Sequence, residues 1–166
     1  MSESASLPRP RSHRPHAPQD LYLAERGLSV FGVDVARTAL ASARAKAAAR
    51  NLDIEFAEVD ALHLDRLGRT FDTVLDCGLL HTFDADERRE YVANVADVLQ
   101  SGGALHILCF SDEGPDTGPH PLSGTELTSI FGPDTGWHIE RVESERIHTR
   151  FHDNGASAWF ATITRT

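Results

Sequence analysis

The chain has 166 residues, 40% of them hydrophobic and 25% charged, with a formal net charge of −9. That is enough chain for one domain with a substantial core, and its ordinary composition excludes wholesale disorder, collagen-like repeats and coiled coil. No apolar run approaches the roughly 18 residues that a membrane span needs. No apolar segment follows the N-terminal arginines as a secretory signal requires, and the acidity argues against a nucleic-acid-binding surface.

Two cysteines, Cys77 and Cys109, are too few for a disulfide framework or a structural zinc site, so a reducing cytoplasm is the expected setting. Lys46 is the only lysine, which excludes a Schiff base or a Tyr-x-x-x-Lys pair elsewhere in the chain.

In chain order, residues 1–20 stand apart. Leu7 to Pro18 holds four prolines, three arginines and two histidines, a composition that reads as an extended or disordered tail. The remainder, 21–166, reads as a single folded domain. Asp20 caps a short helix, Leu21 to Arg26, that stops at Gly27. Leu28 to Val33 is a buried strand ending at Asp34, and the alanine-rich stretch 36–50 is a helix. Ile54 to Val59 alternates apolar and polar residues, a strand ending at Asp60. Phe71 to Leu75 is a further strand, running into Asp76-Cys77-Gly78.

Asp84 with Glu87 opens a helix that turns Tyr91, Val92, Val95, Val98 and Leu99 inward and ends at Gly102-Gly103. Ala104 to Phe110 is the near-continuous apolar strand that parallel sheets bury. Ser123 with Glu126 opens another helix, through Phe131. Trp137 to Thr149 and Ser157 to Thr164 form an antiparallel hairpin turning at Asp153-Asn154-Gly155, with Trp137 and Trp159 in the core. Strands alternating with helices predict a doubly wound, mostly parallel α/β sheet with the antiparallel hairpin at its C-terminal end.

In such sheets ligands sit beyond the carboxyl ends of the strands, where Asp34, Asp60 and Asp76 all fall. A carboxylate offers two acceptors to a ribose diol, and a second acidic group can accept from an exocyclic amine. Three such residues at one sheet edge point to a nucleoside. His148 and His152 have H-x-x-x-H spacing but no third ligand, and no metal is expected. Asp112, Glu113 and Asp116 lie in a Gly/Pro-rich loop, 111–124, that is either solvated or a lid over substrate.

From about residue 20 onward the chain resembles the Rossmann-like (class I) S-adenosylmethionine-dependent methyltransferases, especially small bacterial ones. The motifs are Leu21-Tyr-Leu-Ala-Glu-Arg-Gly27 before Val30-Phe-Gly-Val-Asp34, then Asp60-Ala61-Leu62. Phe71-Asp-Thr-Val-Leu-Asp-Cys-Gly-Leu-Leu-His81 comes next, then Leu99-Gln-Ser-Gly-Gly103 before an apolar strand. The resemblance implies methyl transfer from S-adenosylmethionine to a small-molecule acceptor. It implies that Asp34 binds the cofactor ribose, Val35 and Leu62 sandwich the adenine, and Asp60 with the Ala61 backbone reads its edge. It places Asp76, Cys77 and Gly78 beside the methionine moiety, and His81 at the substrate mouth in a catalytic role.

The departure from the family lies ahead of Asp34. Relatives carry a strand and a glycine-rich loop there, roughly 15–20 residues upstream, where the backbone approaches the cofactor. Arg14 to Asp20 contains no glycine, and prolines cannot supply a central strand. The expectation is a methyltransferase body whose first strand and loop have been lost by truncation or frameshift. Its open strand edges would favour a homodimer. The alternative function is a remnant that folds without binding cofactor. A nicotinamide-dependent oxidoreductase would need the same missing glycine turn and fits the hairpin poorly.

Overall fold

The computed structural model describes residues 19–114, 117–149 and 152–166. The proline-rich stretch 1–18 and Asp116 lie outside the described residues. The chain divides into two compact units, one up to Glu58 and one from Val59 onward.

The first unit runs α1 (Gln19–Ala24), β1 (Phe31–Asp34), α2 (Arg37–Ala49) and β2 (Glu55–Glu58). Helix α1 takes in Gln19 and Asp20, ahead of the expected helix start at Leu21. Strands β1 and β2 are parallel, Phe31 opposite Glu55 through Asp34 opposite Glu58. Gly32 is required by packing: a Cβ there would lie 2.7 Å from the Phe56 ring. The Arg44 guanidinium donates to the Phe56 carbonyl at 2.8 Å, tying α2 to β2. Within this unit Leu21, Leu40 and Ala47 are buried.

The second unit begins with a 3-10 stretch (Ala61–Leu67) and continues through β3 (Phe71–Cys77) and a 3-10 turn (Leu80–Thr82). Then come α3 (Ala85–Val98), β4 (Leu99–Phe110), α4 (Gly124–Ile130), a 3-10 turn (Pro133–Thr135), β5 (Trp137–Thr149) and β6 (His152–Arg165). The sheet order is β3-β4-β6-β5, with β3 and β4 parallel and β6 antiparallel to both β4 and β5. Both expected capping boxes are present, Asp84 with Glu87 on α3 and Ser123 with Glu126 on α4. Tyr91, Val92, Val95 and Val98 on α3 join Leu105, Ile107 and Cys109 on β4 and Trp137, Trp159, Ala161 and Ile163 in one apolar cluster. Each such aliphatic side chain contributes roughly 1.5–3 kcal/mol on full burial.

Two boundaries differ from expectation. Helix α3 stops at Val98 and β4 starts at Leu99, so Gly102-Gly103 lie inside the strand instead of ending the helix. Leu99 is extended (φ −98, ψ 132) and pairs with Phe71, and the next pair is Thr73 with Ala104. Residues 100–103 therefore bulge out of the ladder, with Gly102 at φ 78. The second difference is in the hairpin. Strand β6 starts at His152, opposite Thr149, so Asp153-Asn154-Gly155 form a bulge in β6 and not the turn. Gly155 takes φ 76 there, and the Arg146 guanidinium donates to the carbonyls of Asn154 and Gly155, both at 2.6 Å.

The expected mixture of parallel strands, intervening helices and a C-terminal antiparallel pair is present. The two parallel pairs belong to separate sheets, and no described strand bridges β1 and β3. No helix among the described residues is long and apolar enough to cross a membrane.

Candidate functional site

In the first unit, Asp34 closes β1 with its side chain exposed. One carboxylate oxygen accepts from the Ala36 amide at 2.7 Å, which turns the chain toward α2. Among the described residues this is the only hydrogen bond to its side chain, and the second oxygen has no partner. The next residue, Val35, is 63% exposed.

In the second unit, Asp60 caps the 3-10 stretch, accepting from Leu62 N at 3.0 Å. Its other oxygen lies 3.7 Å from His63 Nδ1, and both side chains are about half exposed, so the pair is weak. Ala61 and Leu62 are partly buried against the apolar cluster.

Asp76 is in a different environment. It lies near the end of β3 at 3% exposure and accepts from Leu79 N at 2.7 Å, Leu80 N at 2.9 Å and Tyr91 Oη at 3.2 Å. Burial raises its carboxyl above the usual range, and the hydrogen bonds from Leu79, Leu80, Tyr91 and Gly78 offset this in part. The resemblance sets Asp76 beside the methionine moiety. Its carboxylate oxygens accept hydrogen bonds from the backbone of the turn that follows and from Tyr91.

Gly78 has φ 97, and a Cβ there would lie 3.3 Å from His81 Cε1, so glycine is needed for both conformation and room. The Cys77 side chain is exposed; the inert core thiol is Cys109, which is fully buried and pushed up to about 12 by burial.

His81 is 6% exposed, its ring 4.4 Å from that of Phe110. Its Nδ1 is buried without a hydrogen-bond partner. Burial lowers its pKa, and the nearby charges of Arg88 and His120 lower it further, so the imidazole is neutral at pH 7. Asp60, Ala61, Leu62, Asp76, Cys77, Gly78 and His81 thus belong to one compact unit, and Asp34 with Val35 to the other.

Sequence reasoning placed Tyr91 in the core but missed its hydroxyl bond to Asp76, and it missed Arg88 and His120 altogether. Arg88 had a readable signal, since it stands three and four residues before Tyr91 and Val92 on the buried face of α3. His120 had none, because its position depends on the path of an irregular loop.

Among the described residues no group of three metal-ligating side chains occurs. The other feature of note is an open groove of about 240 Å³ lined by Ser111, Glu113, Ser144, Glu145, Arg146, Ser157 and Ala158.

Parallel strand pairs with intervening helices and acidic residues at the strand ends define a Rossmann-like α/β protein. Solved structures agree. One, from work on the conversion of a disulfide bond into a thioacetal group during echinomycin biosynthesis, is 33% identical with TM-score 0.75, covering 87% of this chain and 70% of that one. A second, an S-adenosylmethionine-dependent methyltransferase from Methanosarcina mazei, is 21% identical with TM-score 0.73, covering 87% of this chain and 85% of that one.

The family model described as a methyltransferase domain matches residues 19–103, and the chain belongs to that family. A curated relative, the 2-heptyl-1-hydroxyquinolin-4(1H)-one methyltransferase of Mycobacteroides abscessus, is 32% identical over 143 residues. The match takes in 82% of this chain and 62% of that protein's length.

Proposed function

We propose that this chain transfers a methyl group from S-adenosylmethionine to a hydroxylated small molecule. The observation that carries the reading is the end of β1: an exposed carboxylate with one oxygen uncommitted, followed by an exposed valine. That donor set fits the adenosine half of the cofactor. In the first unit Asp34 would take the ribose hydroxyls beside the exposed Val35; in the second, the resemblance assigns Leu62, Asp60 and the Ala61 backbone to the adenine. Gly78, Cys77 and the backbone held by Asp76 would border the methionine end, with His81 toward the acceptor.

When bound, the cofactor supplies an electrophilic methyl on a sulfonium. The chain's own contribution is to hold and orient the two partners and exclude water. The hydroxylated acceptor is suggested by the hydroxyquinolinone named for the M. abscessus relative. The acidic charge of the chain favours a small acceptor over nucleic acid or a membrane surface. A cytoplasmic setting and a homodimer joined through strand edges complete the reading.

Calorimetric titration of the purified chain with S-adenosylhomocysteine tests it, beside an Asp34→Ala control. Micromolar binding that the control loses is the expected result. Absence of binding by a chain shown to be folded would sink the proposal and leave a fold without cofactor.

A further inference from the structure

His81, Arg88 and His120 come from three segments of the second unit: the turn after β3, the start of α3 and the stretch between β4 and α4. The charges of Arg88 and His120 both act on His81. Two nitrogens of this group, His81 Nδ1 and Arg88 Nε, are buried with no hydrogen-bond partner. Such orphaned groups are rare in folded proteins, and a buried guanidinium with an empty donor position is costly unless something completes it.

Glu126 does not complete it. The side chain of Arg88 is only 12% exposed, and its ion pair with Glu126 is long, 3.5 Å, and made through a different nitrogen, NH1. The pair uses Glu126 Oε1, its Oε2 accepting from the amide and hydroxyl of Ser123, and it leaves Arg88 Nε without a partner. Asp76, the other acid acting on this region, is already bonded to Leu79, Leu80 and Tyr91. The Arg88 guanidinium therefore keeps a buried, unfilled donor position beside His81.

We propose that His81, Arg88 and His120 form an acceptor subsite that binds the methyl acceptor as the oxyanion of an acidic aromatic hydroxyl compound. This deepens the methyltransferase reading and rests on it. A charge-assisted pair of N–H donors suits one oxygen better than the three of a phosphate. The Phe110 ring, 4.4 Å from that of His81, supplies an apolar wall for a flat ring. An acceptor that arrives deprotonated needs no general base, which agrees with an imidazole whose basicity is lowered.

The span 118–121 packs against the Phe110 ring. A Cβ at Gly118 would lie 2.3 Å from the Phe110 ring, and His120 is held at φ 50. The span is pinned at both ends, by the bridge from Thr117 to Ser157 and by the hydrogen bonds of Leu122 to Phe110, Asp112 and Trp159. The acceptor enters when the residues between these pins move aside.

4-Nitrophenol is a direct probe, because its anion absorbs visible light and its neutral form does not. The full chain is titrated with it slightly below the pH at which the free phenol is half ionised. Binding as the anion raises the visible absorbance, and Arg88→Gln and His81→Phe each weaken that binding about tenfold or more. Arg88→Lys, which keeps the charge and most of the stem, falls between and carries the comparison if Arg88→Gln melts early. Binding without a gain in absorbance, anion binding unchanged in the Arg88 variants, or no binding at all would each overturn the proposal. S-adenosylhomocysteine titration of the same samples reports on the methyltransferase reading separately, so the two can fail independently.

Discussion

Asp34 and Asp76 occupy the same place in their strands, the carboxyl end of a parallel pair, and have opposite environments. Asp34 is exposed and, among the described residues, makes one side-chain hydrogen bond, to a backbone amide two residues on. Asp76 is buried and accepts from the amides of Leu79 and Leu80 and from a tyrosine on the following helix. The difference lies in the connection after each strand. Beyond Asp34 the chain passes straight into α2, and among the described residues only the Ala36 amide bonds the carboxylate. Beyond Asp76 it makes a 3-10 turn whose amides point at the carboxylate, and α3 brings Tyr91 against it. An aspartate at a strand end is thus free for a ligand only where the connection leaves it so. Asp60 is intermediate, with one oxygen on Leu62 N and the other near an exposed histidine.

The contrast predicts a ranking of costs. Asp76→Ala should have the largest effect. It strands the amides of Leu79 and Leu80 and the Tyr91 hydroxyl, and should cost about 3 kcal/mol or more, roughly 10 °C in Tm. Denaturant titration gives the free energy. A variant within about 0.5 kcal/mol of the parent would show that the turn holds itself.

Asp76→Asn sharpens the comparison through pH. Burial raises the Asp76 carboxyl, so the folded chain holds that proton more tightly than the unfolded chain does. The stability it contributes is therefore greatest at low pH and declines as pH rises from the ordinary carboxylate value through the raised one. Asp76→Asn has no proton to lose and should lack that part of the decline. The measurement is the stability difference between the two proteins at several acidic pH values; a difference that is flat, or that moves in the parent's favour as pH rises, contradicts the assignment.

Tyr91→Phe comes next, at about 1–2 kcal/mol for one hydrogen bond to a charged group. Because that bond lowers the Asp76 pKa, its loss should push the carboxyl further up. A double-mutant cycle with Asp76→Asn isolates the pair, and additive losses would place the two groups out of contact.

Much of this pattern was legible in advance, and the limits have physical causes. Both capping boxes, the alanine-rich α2, the apolar β4 and the order of strands and helices were read correctly, because each is written in local spacing. Gly102-Gly103 was misread as a helix end, since two glycines after a helix usually mark one. Here Leu99 leaves the helix early to pair with Phe71, and the glycines absorb the bulge. The turn signal at Asp153-Asn154-Gly155 was real but served a bulge whose carbonyls Arg146 holds. In the candidate site the residue types at the strand ends were visible, but not their environments. Spacing alone could not say that Asp76 would be enclosed and Asp34 left open.

Asp60→Ala should cost about 1 kcal/mol, the usual loss of a single side-chain cap. Asp34 has the smallest structural role of the three, and there the comparison is sharpest. Asp34→Asn keeps an amide oxygen for Ala36 N, so its stability should stay within about 0.5 kcal/mol of the parent in denaturant titration. It has no second acceptor for a ribose diol, because its other terminal group is a donor. S-adenosylhomocysteine binding should therefore weaken about tenfold, near 1.4 kcal/mol, in a protein that melts as the parent does. Asp76→Asn should show the reverse balance, its loss falling on stability before binding. If both variants lose binding and stability in the same proportion, the two carboxylates are equivalent parts of one structure, and the division between a scaffold aspartate and a ligand aspartate fails.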